Sequence, residues 1–198
     1  VSILNYDVCS FKEKGYDEVT IQDICDASGI SKHTFYYYFD SKDQIIHEFV
    51  KIPYEIQPEV MQELLTNASP LQKYLGILTP RMEYLEKLGG SILKQIILFG
   101  FRDKETKKED HFRHKAEKHP MIDVECQLIQ QAQEMGEVRN HSSAEELSRM
   151  AMMIMVSATL RWAMGHHKRT LKEFVYQNLF VLFDVDNELR KKLIALHN

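Results

Sequence analysis

The sequence has only three cysteines in 198 residues, Cys9, Cys25 and Cys126. An odd number without paired spacing, and with no secretory apolar stretch before it, excludes a disulfide framework and a zinc knuckle and leads us to expect a reduced, cytoplasmic protein. Long apolar runs are missing too. The most apolar stretch, Met150 to Val156, is too short and too closely flanked by charge to span a bilayer, so no membrane association is expected. There is no Gly-x-Ser-x-Gly, no phosphate loop, no His-Glu-x-x-His and no carboxylate pair at a convincing spacing. Nothing selects a reaction, and we expect neither an enzyme nor a cofactor. No segment of useful length alternates as a strand would, and repeats and low-complexity tracts are absent. The first residue is Val1 inside a helical pattern, from which we expect that some N-terminal residues precede it.

Positive charge is scarce at one end. Residues 1–50 carry only Lys12, Lys14, Lys32 and Lys42 against nine carboxylates, a net of −5, and the remainder has a net of +1. An acidic N-terminal segment argues against broad, non-specific affinity for nucleic acid, and only the local placement of its few cations can favour it.

What is present is helical punctuation. Leu4, Val8 and Phe11 lie at helical spacing before Gly15. Thr20 is placed to cap a second helix running to Asp26 or Ala27, with Ile21, Ile24 and Cys25 inward. Gly29 permits a sharp turn that Ile30 plugs, and Ser31 opens a third helix through Tyr37 or Tyr38. Ser41 caps a fourth from Lys42 towards Val50. Short helices around a Gly-containing turn have helix-turn-helix geometry. Further on, Pro53 and Pro58 bend the chain, and helix resumes from Glu59 to Leu65. Ser69-Pro70 starts a helix through Leu88 that Pro80 is predicted to kink. Gly89-Gly90 divides it from an apolar helix over Ser91–Phe101. Arg102 to Lys118, with seven basic and five acidic residues, reads as solvated. Pro120 starts a helix ending at Glu134, before Gly136. Ser142-Ser143 with Glu145-Glu146 opens Ala144–Met164, Thr170 opens a helix from Leu171, and Asp186–Leu196 is a charged amphipathic tail. The expected fold is all-α, about nine or ten helices, with a helix-turn-helix DNA-binding domain over 1–50 and a helical body over 51–198.

A recognition helix points its first residues at base edges in the major groove. That places Ser31, Lys32, His33 and Thr34 as base readers. Lys32 can donate to guanine, His33 donate or accept, and Thr34 offer hydroxyl or methyl. Thr20 and Lys42, at the starts of the flanking helices, are placed for the DNA backbone. Thr20 and Ser41 would also serve as plain caps in any helical protein, and ordinary surface residues are the alternative reading of Lys32 and His33. Asp23, Asp26, Asp40 and Asp43 should face away from DNA.

Phe11, Gly15-Tyr16, Thr20-Ile21, Ile24, Gly29-Ile30-Ser31, an aromatic-Tyr pair, Phe39 and Ser41-Lys42 resemble the N-terminal domain of the TetR family of transcriptional regulators. Several fixed spacings agree at once, over about the first fifty residues. Asp7 and Ser10 depart from the apolar residues usual in that family's first helix. The resemblance implies that Tyr36 and Tyr38 also reach the DNA backbone, with Tyr37 at the groove edge. It also implies a homodimer built by the last two long helices, a small-molecule effector among the middle ones, and repression as the outcome.

Ala144–Met164 is apolar nearly all round and needs burial on more than one side. With the helix after Thr170 it is the candidate dimer element, through Met152, Met155, Val156 and Thr159 on the first and Leu171, Phe174, Val175, Asn178 and Leu182 on the second. Ordinary monomeric core is the alternative. Adaptable and aromatic pocket walls can come from Met82, Tyr84, Leu85, Ile96 and Phe99, from Met121, Ile122 and Leu128, and from Met150, Met153 and Trp162. Such residues are more often plain core. Arg161 either anchors a polar group of the ligand or sits at the solvated edge. An apolar wall favours a lipophilic or aromatic effector. His111, His114 and His119, near Glu109, Asp110 and Glu117, lack a reliable metal spacing, so no metal is expected. His166-His167 complements a helix terminus. The rival reading is a helical protein-interaction or structural dimer without specific DNA binding.

Overall fold

Local caps set where most helices begin, and their apolar faces set how they stack. The computed structural model describes residues 15–45, 58–102, 120–165 and 169–196. Among these it has the helices α1 (Ile21–Ser28), α2 (Lys32–Tyr38), α3 (Pro58–Leu64), α4 (Pro70–Leu88), α5 (Gly90–Arg102), α6 (Pro120–Glu134), α7 (Ala144–Ala163), α8 (Leu171–Leu182) and α9 (Asn187–Leu196), and no strand. Residues 42–45 are also helical. The fold is all-α. The expected first helix with Leu4, Val8 and Phe11, the departures Asp7 and Ser10, the bend at Pro53, the charged segment with His111, His114 and His119, and His166-His167 all lie outside the described residues.

The caps follow from side-chain chemistry. Thr20, Ser143 and Thr170 each close a reciprocal capping box, with Asp23, Glu146 and Glu173, so two orphan donors are satisfied at each helix start. Ser69 accepts from the Gln72 amide ahead of Pro70 at the first helical position, and α4 continues through Pro80 as one helix. Two further caps come from distant carboxylates. Glu137 accepts from the Leu71 amide at 3.0 Å, and Glu86 accepts from the Leu171 amide. Negative charge at a helix N-terminus opposes the macrodipole favourably, so these contacts tie α4 and α8 to remote parts of the chain.

The body packs α4 against α3, α6 and α8, and α7 against α5, α6 and α8. Its core is lined by Tyr74, Leu75, Leu78 and Met82 of α4, Leu147, Ala151 and Met155 of α7, and Val175, Leu179 and Phe180 of α8. A second cluster joins the head to the body: Tyr16, Val19, Ile24, Cys25, Phe35 and Ile45 pack with Leu88, Ile92, Leu93 and Ala163. Head and body therefore share buried apolar surface, and the position of one constrains the other.

Candidate nucleic-acid interface

The helix-turn-helix is built around Phe35. This side chain is fully buried, and its ring lies 5.5 Å from the rings of both Tyr36 and Phe39. α1 ends at Gly29, which adopts φ 66°, a conformation that side-chain-bearing residues avoid. The Ile30 amide then donates back to Cys25 O at 3.0 Å, and Ser31 caps α2 through the Thr34 amide at 3.0 Å.

With Phe35 pinned inward, the rest of α2 turns out. Ser31, Lys32 and His33 are exposed and Thr34 half-buried, while Tyr36, Tyr37 and Tyr38 are 54%, 78% and 63% exposed. Tyr37 and Tyr38 meet edge to face at 5.0 Å between centroids. The Ser31 and Thr34 hydroxyls lie 2.9 Å apart, so both are engaged in the cap. Lys32 and His33 are the outward polar groups of that first turn.

The flanking residues are held by their own neighbours. The Asp23 carboxylate accepts from the Thr20 amide at 2.8 Å and from its hydroxyl at 2.5 Å, which puts a negative charge at the very start of α1. Lys42 Nζ donates to Tyr16 O at 2.7 Å and Val19 O at 2.9 Å and stands 4.2 Å from the Tyr16 ring centroid. The Tyr16 hydroxyl in turn donates to Asp43. Asp26 accepts from Gln22 at 2.7 Å, and Asp40 exchanges two hydrogen bonds with Gln44.

Residues 9–49 match the family model described as bacterial regulatory proteins, tetR family. Over this stretch the chain is similar to the TetR family. This head is 43% identical over 49 residues to the biofilm operon icaADBC HTH-type negative transcriptional regulator IcaR of Staphylococcus aureus, a match covering 25% of this chain and 26% of that protein. The match therefore spans about a quarter of the length of that curated relative. The whole fold is similar to that of PfmR, a TetR family transcriptional regulator from Thermus thermophilus, with a TM-score of 0.64, 18% identity and coverage of 92% of this chain and 97% of that one. It is also similar to FadR of Thermus thermophilus, a TetR family transcriptional repressor solved with lauroyl-CoA, with a TM-score of 0.57, 22% identity and 91% of each chain covered.

Behind this TetR-type head, the middle helices bring some of the expected pocket residues together and separate others. Met82 and Leu128 are buried in the body core. Leu85, Met121 and Trp162 pack partly buried against it, Tyr84 and Ile96 lie against the shared head-body cluster, and Ile122 is half-buried. Burial pushes the Tyr84 phenol up to about 12, so it stays a neutral donor. Phe99 lies on α5, but its side chain is outside the described residues. Met150 and Met153 do not join this group: both are exposed on the outer face of α7, because their helical phase is that of Val156 and not that of Ala151 and Met155. Arg161 is exposed as well, its guanidinium 5.9 Å from the Phe174 ring centroid.

The expected dimer residues also divide. Met155, Thr159, Leu171 and Val175 are buried within the protomer and so are not available to a second copy. Met152, Phe174 and Leu182 are half-buried, and Val156 and Asn178 are exposed. The outward stripe of α7 is Met150, Met153, Val156, Leu160 and Met164, with Val181 exposed on α8. An open groove of about 550 Å³ runs between the two helices, lined by Ile154, Ser157, Leu160, Arg161, Met164, Phe174 and Asn178. Among the described residues no helix is long and apolar enough to cross a membrane, and no cluster of three or more metal-ligating side chains occurs.

One functional feature had no sequence signal. The Tyr16 amide donates to Ser91 Oγ at 3.0 Å and Gln95 Nε2 to Asp17 at 3.4 Å, which ties the head to α5 across more than seventy residues. No local spacing encodes such a pairing.

Proposed function

We propose that the chain is a ligand-responsive transcriptional regulator, a repressor, which binds a palindromic operator as a homodimer and is released by a small lipophilic or aromatic molecule. Residues 1–50 would form the DNA-binding domain and 51–198 the effector-binding and dimerisation domain. The observation that carries this reading is the outward face of α2: Lys32 and His33 stand exposed at its first turn, with the three tyrosines behind them, while buried Phe35 holds the helix in place. A helix so presented fits the major groove, with Lys32 and His33 reading base edges, Ser31 and Thr34 beside them, and Tyr37 at the groove edge. Thr20, Tyr36 and Tyr38 flank that face and act on the DNA backbone, which positions the head without specifying sequence.

A single head of this size binds weakly, and two-fold pairing supplies the second half-site. The exposed stripe on α7 with Val181 of α8 is the apolar surface suited to a symmetric four-helix contact, and the groove between these helices would be filled by the second copy. The effector would enter among Tyr84, Leu85, Ile96, Met121, Ile122 and Trp162, whose half-buried apolar and aromatic surfaces suit a lipophilic body. FadR of Thermus thermophilus, similar in fold, was solved with lauroyl-CoA, which is consistent with an acyl chain as one member of that class.

The acidic head, with a net of −5 over residues 1–50, favours the second reading, a protein-interaction dimer. Selection of bound duplexes from a random DNA pool by the full-length protein, repeated at two salt concentrations, decides between them. Enrichment of a palindrome whose binding weakens as salt rises supports the regulator. Recovery of no common site by a folded dimer favours the protein-interaction reading.

A further inference from the structure

Lys42 is a half-buried cation whose ammonium is already spent on the head itself. Two of its three N–H donors go to the carbonyls of Tyr16 and Val19, at 2.7 and 2.9 Å, and its charge sits 4.2 Å above the Tyr16 ring centroid. Tyr16 and Val19 are almost fully buried, so water is poorly placed to replace the ammonium at their carbonyls. The next residue, Asp43, receives the Tyr16 hydroxyl. Two consecutive side chains at the start of the stretch after α2 thus hold opposite ends of one tyrosine.

We infer that Lys42 is a positioning residue for DNA binding, clasping the turn over residues 16–19 from inside the head, and that it does not act by gripping a phosphate. This rests on the DNA-binding reading above. The clasped turn leads directly into Thr20, the N-cap of α1, and α1 presents Ile24 and Cys25 to the cluster that contains Phe35 of α2. Holding the turn therefore sets the start of α1 and, through that packing, the attitude of α2. To reach a phosphate, the ammonium would have to leave two charge-assisted hydrogen bonds and an aromatic face together. An ordinary surface lysine gives up nothing comparable.

The test is the salt dependence of operator binding by the full-length protein, with Lys42→Met compared against the unaltered chain on a duplex recovered by selection. A lost phosphate contact lowers the slope of log affinity against log salt by about 0.9. The clasp instead predicts a fall in affinity of about tenfold or more at every salt concentration, with the slope unchanged. In parallel, hydrogen exchange on the DNA-free protein reads the amides of residues 16–24. The clasp predicts faster exchange there in Lys42→Met, and a phosphate contact predicts none. Should Lys42→Met unfold the head, Lys42→Gln replaces it in the salt series: its neutral amide keeps a donor for the turn but no charge for a phosphate, so the clasp predicts an unchanged slope and a phosphate contact a reduced one. A reduced slope in either variant, or unchanged exchange in Lys42→Met, overturns the inference. If the unaltered protein selects no duplex, the regulator reading fails on its own, and the exchange measurement still decides whether Lys42 holds the turn.

Discussion

The Ser91 hydroxyl, at the start of α5, accepts a 3.0 Å hydrogen bond from the backbone amide of Tyr16. A longer one, from Gln95 to Asp17, joins the same two parts of the chain. Ser91→Ala leaves a partly buried N–H without its acceptor, and we expect a loss of about 1 kcal/mol in unfolding free energy. Denaturant titration of the full-length protein measures it. Exchange of the Tyr16 amide should quicken in the same variant, and an unchanged rate would remove Ser91 as the link.

Asp23 poses the opposite case, a charge that helps the fold and hinders the ligand. Its carboxylate caps α1 through Thr20 at the position where a phosphate would approach. In Asp23→Asn an amide oxygen remains to accept from the cap while the charge is lost. At low salt we expect operator affinity to rise about two- to fivefold, the equivalent of the ~0.3–1 kcal/mol that a charge contributes at a helix terminus. Fluorescence anisotropy with a labelled duplex reads this directly. Equal affinity would mean that no phosphate comes near the start of α1.

On α7, neighbouring methionines should behave in contrary ways. Met153 is 64% exposed and Met155 5%. Met153→Glu should leave the helical signal and thermal midpoint nearly unchanged but shift sedimentation from dimer to monomer. Met155→Ala should cost about 2–5 kcal/mol of stability through the cavity it leaves. A Met153→Glu protein that remains fully dimeric at micromolar concentration would place the interface elsewhere.

Glu125 of α6 is a buried carboxylate whose pKa is raised by desolvation, with Arg81 acting in the other direction. The folded state therefore holds its proton more tightly than the unfolded chain does. Its contribution is fully present below the ordinary carboxylate range and is lost as pH rises through the elevated value, by at most about 1.4 kcal/mol per pH unit. Glu125→Gln, neutral throughout, should be more thermally stable than the unaltered protein at pH 7 and should lose that advantage near pH 4. Parallel melting curves across this range would contradict the assignment.

Much of the helical layout is legible in the sequence because its signals are local. Thr20, Ser69, Ser143 and Thr170 sit immediately before their helices and bond within three residues, so type and spacing are enough. The exposed first turn of α2 follows in the same way, since Phe35 is the large apolar residue there that must turn inward. Direction on α7 is not legible. Its residues are apolar on almost every side, so periodicity carries no phase, and the sequence reading sends Met150 and Met153 inward and Met155 and Thr159 outward. The structure reverses both pairs. Thr159 tolerates burial because its hydroxyl donates to Met155 O at 2.8 Å. Leu171 and Val175 on α8 are misplaced for the same reason, and Lys42 reads as a free cation because its carbonyl partners lie more than twenty residues away.

At the junction of α5 and α7 the two backbones meet with nothing between them: a methyl group on Gly90 would fall 2.8 Å from the carbonyl oxygen of Ala163. A bearing with no clearance transmits displacement instead of absorbing it. Any displacement of α7 at Ala163 would press directly on Gly90, whose neighbour Ser91 is bonded to Tyr16. A compressible side chain at this point would act as a cushion, and the stroke would die there. The missing side chain at Gly90 thus brings α5 and α7 into direct backbone contact.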